Sequence, residues 1–230
     1  MPENKYAPPE QTTGDTVHAI GSAALQLVPL VGSSAADLLK HAIMPPLERR
    51  RDDWMETVAE ALRSHDVAFE ELGTRPELLD AFFQASTAAI KTSSEEKRAA
   101  LRNAVLNIAK GWDPDETVSQ QFLDLVERFH PWHLRLLQAM HDPPAWAKAH
   151  GVTYEPGYSS SLSGFIEAAF PELVGRVDFY GQMWAELGQS GLHNTGGLST
   201  MMTEGGWRAS RTTEGGKEFL RFISEPTSAT

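Results

Sequence analysis

The sequence predicts a mainly α fold: an N-terminal helical bundle followed by a winged-helix domain with a two-stranded wing. Apolar residues recur at helical spacing through most of the 230 residues. Serine, threonine and proline stand where those stretches would begin and end. The last third, from Pro131 to Ser224, adds three short helical patterns, a glycine-punctuated pair of strand-like runs and a closing amphipathic stretch. The length suits two domains, read as 14–117 (helical) and 118–224 (winged-helix-like), with flexible tails at 1–13 and 225–230.

Taken in order, Thr16 to Met44 is apolar but interrupted by Gly21, Pro29 and Gly32, which predicts two short helices. Ser33 or Ser34 would cap the second, and Pro45-Pro46 would end it. A longer helix then runs from Leu47 to about His65, with Trp54, Val58, Ala61 and Leu62 on one face. Thr74 or Arg75-Pro76 starts the next, to Lys91, with Leu78, Leu79, Phe82 and Phe83 as its stripe. Ser93-Ser94 followed by Glu95 and Glu96 provides a cap with acid in the first turn, and Leu101, Val105, Leu106 and Ile108 follow at helical spacing. Gly111 to Pro114 stops that helix, and Val118 to Phe129 resumes with Phe122, Leu125, Val126 and Phe129 facing one way.

In the second half His130-Pro131 opens a helix that ends near His141, terminated by Asp142-Pro143-Pro144. A short helical turn is expected at Trp146 to Gly151, then a loop to Ser161. Ser163 opens a helix through Ala169, Pro171 breaks it, and Asp178 caps a third helix over Phe179 to Leu187. Leu198 to Thr203 and Trp207 to Thr212 read as strands pairing across Glu204-Gly205-Gly206, the wing. Thr212 or Thr213 caps a last helix, Glu214 to Ile223, whose Phe219, Leu220, Phe222 and Ile223 must pack onto the core.

Composition narrows the chemistry. Hydrophobic content of 41% with 22% charged residues is that of an ordinary globular protein. There is no cysteine, which excludes disulfides, thiol nucleophiles, iron–sulfur clusters and cysteine-bound zinc. The first residues show no basic region leading into an apolar stretch, so a cytoplasmic location is expected. The net charge of -11 opposes polyanions at long range. Residues 1–117 hold 12 Lys+Arg against 19 Asp+Glu, and 118–224 hold 8 against 11, so the second half is the less acidic.

No catalytic, metal or cofactor constellation emerges. His130, His133, His141 and His150 cluster in sequence, but no His-Glu-x-x-His or matching carboxylate accompanies them. They read instead as an N-cap (His130), a half-buried packing residue (His133) and a helix C-terminus (His141). Ser159 to Ser161 lack a nucleophile elbow, and the paired glycines lack the setting of a P-loop or dinucleotide fold. No small-molecule substrate is evident.

Contact residues are more legible. The third helix of the winged-helix pattern would present Arg176, Tyr180 and Gln182, along with Asp178 and Glu186, a mixed set for a helix entering a major groove. The wing would bring Trp207, Arg208 and Arg211 to DNA or to a protein partner. Thr16 to Ala36 lacks charge if His18 is neutral, so Leu25, Leu27, Val28 and Leu30, with Arg49, Arg50 and Arg51 nearby, form a candidate surface for an anionic membrane or a partner.

The run Pro45 to Trp54 behind its Gly/Pro-broken apolar stretch, Arg98 to Asn107, and Pro131 to Leu137 resemble segments of bacterial proteins of the abortive-infection-alpha type. That resemblance spans most of residues 16–223 and implies helical-plus-winged-helix architecture, a role in phage defence and no catalytic motif. The expectation is therefore a non-enzymatic interaction or regulatory module that contacts protein or dimerises through the winged helix. DNA binding through the same wing, and membrane action through 17–44, are the alternatives.

Overall fold

The computed structural model describes residues 33–112, 115–155, 161–203 and 205–226. Among them run the helices α1 (Ser33–Ser64), α2 (Glu70–Thr74), α3 (Pro76–Lys91), α4 (Glu95–Ala109), α5 (Glu116–Arg128), α6 (Pro131–His141), α7 (Pro143–Ala149), α8 (Leu162–Ala169), α9 (Val177–Gln189) and α10 (Glu214–Ile223). Short 3₁₀ turns occupy Pro171–Leu173 and Gly206–Arg208. The protein is mainly helical. The expected helix break at residues 28–32 lies outside the described residues.

Backbone packing divides the chain after Asp52 into two units. The described part of the first, residues 33–52, is the opening stretch of α1. Pro45-Pro46 does not end that helix, which continues to Ser64. Proline removes an amide donor and crowds the preceding turn, yet its φ is already helical. Leu47, Glu48 and the three arginines that follow are strong helix formers, and they carry the helix on.

The second unit, Asp53 onward, has one hydrophobic core and runs through residue 118, where the sequence places a domain boundary. Trp54, Val58 and Leu62 are buried on the predicted face. The Trp54 indole N–H donates to Ser86 Oγ at 2.9 Å, and Ser86 donates in turn to the Phe82 carbonyl, so this buried polar pair is satisfied. On α3 the buried stripe is Leu78, Ala81, Phe82 and Ala85, while Leu79 and Phe83 are half-buried.

Helix α4 packs against α3, α5 and α10. Its start is the expected serine cap: Ser94 Oγ accepts from the Lys97 amide. Asn103 and Asn107 point from α4 to the end of α10, where Asn103 donates to the Ile223 carbonyl at 3.0 Å and Asn107 to those of Phe222 and Ser224 at 2.8 and 2.9 Å. The last carbonyls of a helix lack intrahelical partners, and two buried amides supply them here. Phe219 and Phe222 of α10 then meet Phe122 of α5 at ring distances of 5.4 and 5.5 Å.

The wing is the second correction. Leu198–Thr203 and Trp207–Thr212 do not pair as strands; the described residues hold isolated bridges only, such as antiparallel His193 with Thr212. Their backbone groups are taken by the helical body instead. The Arg211 amide donates to the Met140 carbonyl of α6, and the Leu198 carbonyl accepts from Ser163 at the start of α8. Gly206 bonds back to Thr203, and Trp207 turns into the core, its ring 5.2 Å from Phe165 and 5.1 Å from Tyr154. A segment whose side chains do not alternate between core and solvent has no register to hold a hairpin.

Three smaller boundaries also move. Asp142 ends α6 and caps α7 as well, accepting from Ala145, so the turn expected at Trp146 starts at Pro143. Ser161 rather than Ser163 caps α8. Asp178 lies inside the first turn of α9 instead of capping it.

Candidate functional site

The start of α6 is held by two histidines. His130, the N-cap, accepts from the Trp132 amide through Nδ1 at 3.3 Å. His133, three residues on, accepts from the His130 amide through its own Nδ1 at 3.0 Å, which completes a capping box normally built from Ser or Thr with Glu or Gln. Both acceptors must be unprotonated at Nδ1, so in each ring the proton sits on Nε2. His133 is 2% exposed, stacks on Phe129 at 4.6 Å and meets Glu186 Oε2 of α9 at 2.9 Å. Burial lowers the pKa of His130, reinforced by the neighbouring His133 ring and by the cations Lys97 and Arg135. Hydrogen bonds from Gln182 and then His133 hold Glu186 below the usual carboxylate range.

Helix α9 leans on this cap. Phe179 meets the His130 ring nearly perpendicular, with centroids 6.5 Å apart, and Arg176 lies over the Phe179 ring at 4.3 Å. Just before and inside the first turn, Val174 is 61% exposed and Val177 40%. The result is an apolar surface carrying one cation, flanked by exposed Glu172 and Asp178. Beyond the other end of the Glu186 pair, Gln121, Asp124, Arg128, Gln189 and Ser190 line a polar groove of about 670 Å³.

The expected contact residues do not converge on one surface. Tyr180 is fully buried, its hydroxyl donating to Glu167 Oε1 at 3.1 Å, and burial followed by that bond pushes its pKa up to about 12. Trp207 is 5% exposed and belongs to the core. Arg211 is half-buried and donates to the Gly206 carbonyl. Arg176, Gln182 and Arg208 are exposed; Gln182 bonds Glu186, and Arg208 covers the Trp207 ring. Arg49 is exposed, Arg50 partly so, and Arg51 pairs with Asp52. Leu25, Leu27, Val28 and Leu30 lie outside the described residues.

Among the described residues, His133, His193 and His141 are engaged within the fold. His133 uses one nitrogen on a backbone amide and the other on Glu186. His193 does likewise, with the Thr195 amide at Nδ1 and the Trp184 carbonyl at Nε2, and burial lowers its pKa. His141 Nδ1 contacts the Thr212 hydroxyl at 2.9 Å. Neither His133 nor His193 has a ring nitrogen left for a substrate proton, which general acid–base catalysis would require. Among the described residues no group of three or more His, Asp or Glu could hold a metal, and no helix is long and apolar enough to cross a membrane.

Sequence reading missed Val174, Val177 and the His133–Glu186 pair. Two valines at a helix break were a visible signal. The pair was not, because 53 residues separate its members. Compared with family models, with curated proteins and with solved structures, the chain matches none of them.

Proposed function

We propose that this protein is a non-enzymatic interaction module whose contact surface is the start of α9, and that its partner is a second copy of the chain. The observation that carries the reading is the exposure of Val174 and Val177 beside Arg176, which lies over the Phe179 ring. Apolar side chains next to a pre-positioned arginine are what interface centres are enriched in. Charge favours self-pairing: around a two-fold axis, Arg176 of one copy can face Glu172 or Asp178 of the other, as an isologous interface requires. The setting in phage defence rests on the resemblance to abortive-infection-alpha proteins.

DNA contact finds less to work with. Trp207 and Arg211 face inward, and α9 exposes Asp178 where phosphate would approach. The test is a photo-crosslinking residue in place of Val177. Irradiation should give a product of twice the chain mass, and the same residue at exposed Lys110 should not. Equal yields at both sites would contradict the proposal.

A further inference from the structure

We infer that the two-histidine cap of α6 is a pH-sensitive latch on the α9 surface: protonating His130 releases the cap and unseats Phe179. The inference rests on the proposed role of that surface for its consequence, though not for its chemistry. The Trp132 amide points at His130 Nδ1, so a proton there replaces an acceptor with a second donor. It also puts a cation at the positive end of the α6 dipole.

The surroundings oppose that charge from each element packed here. From α6, Arg135 and His133 face the ring. From α4 come Lys97 and Glu96, but Glu96 is already paired with Arg135 and Lys97 donates to the Glu127 carbonyl of α5. From α9, Glu186 is bonded to His133 and Gln182, and the group actually touching His130 is the apolar Phe179 ring. One carboxylate, Glu96, acts on His130 against two cations, Lys97 and Arg135, with the His133 ring beside them. Its pKa therefore lies below the ordinary histidine value of about 6.5, and the cap's contribution is complete above that pH and lost as pH falls below it.

Transmission to the surface is short. Phe179 stands nearly perpendicular to the His130 ring and carries Arg176 over its own ring, two residues from Val177. Loss of the cap removes the seat of that ring.

The experiment is NMR from pH 7.5 to 5.5, with ¹⁵N detection of the His130 ring and the Trp132 amide and ¹³C detection of the Val177 methyls, on the wild type and on His130→Ser, a cap that does not titrate. The expected wild-type ring is the Nε2–H tautomer at pH 7.5, and all three signals should move together below about pH 6.5, with self-association weakened about fivefold, the effect of one lost cap. His130→Ser should abolish the coupled shift. An Nδ1–H tautomer at pH 7.5, Val177 methyls that ignore the ring, or a serine variant with unchanged pH dependence would overturn the latch. The wild-type signals decide the question if the variant fails to fold. Absence of dimer at every pH with the three signals still coupled would remove the interaction proposal and leave the latch standing.

Discussion

Trp207 and Asn107 carry much of the stability, by different physics. Trp207 is packed between Phe165 and Tyr154, so Trp207→Ala should cost about 3–5 kcal/mol, read as a lower denaturation midpoint. A contact residue would lose binding and keep its midpoint. Asn107 is a buried donor to the carbonyls of Arg221, Phe222 and Ser224 at the end of α10, and Asn107→Ala strands these acceptors, at a cost of about 1–3 kcal/mol by the same measurement. The apolar residues of α4 were legible from helical spacing. The role of Asn107 was not, because its partners lie more than a hundred positions away in sequence. Tyr180 and Trp207 show the same limit: amphipathic aromatics suit a core or an interface equally, and only packing chooses.

Helices were legible where their stop signals are local. Ser94, His130 and Thr213 cap α4, α6 and α10 as their side chains suggest, because a cap needs only the next two or three amides. The end of α10 is tied down at Asn103 and Asn107, and its start by Thr213, whose hydroxyl accepts from Gly216 at 3.0 Å and donates to the Gly191 carbonyl at 2.7 Å. Thr213→Ala should therefore cost about 1–2 kcal/mol and increase hydrogen exchange in the first turn of α10 before elsewhere. Gly216 marks how close α10 approaches the preceding loop, since a Cβ there would lie 2.1 Å from the Leu192 carbonyl. Strand prediction failed over Leu198–Thr212 for a non-local reason. The Arg211 amide goes to Met140 and the Leu198 carbonyl to Ser163, pairings that no pattern within the segment encodes. Pro45-Pro46 misled because proline weakens a helix without forbidding it.

At the scale of the whole molecule, the second unit behaves as one body across residue 118. Phe222 meets Trp112 at 6.0 Å as well as Phe122, and Asn107 holds the end of α10, so elements from both sides of that position share the core. Residues 118–224 expressed alone should accordingly lack a cooperative melt, while 53–226 should keep one; a sharp transition in the shorter fragment would contradict a shared core. The mainly α class was legible because helix periodicity needs no partner, and the contact surface was half-legible, with Arg176 identified and the valines beside it missed. The proposed joining of two copies at the start of α9 is open to a direct test. Sedimentation velocity of the wild type and of Val174→Asp, Val177→Asp should show a concentration-dependent dimer that the double substitution converts to monomer, with the melting temperature unchanged at concentrations too low for the wild type to dimerise. A wild type that stays monomeric at high concentration, or a dimer that both aspartates leave intact, would contradict it.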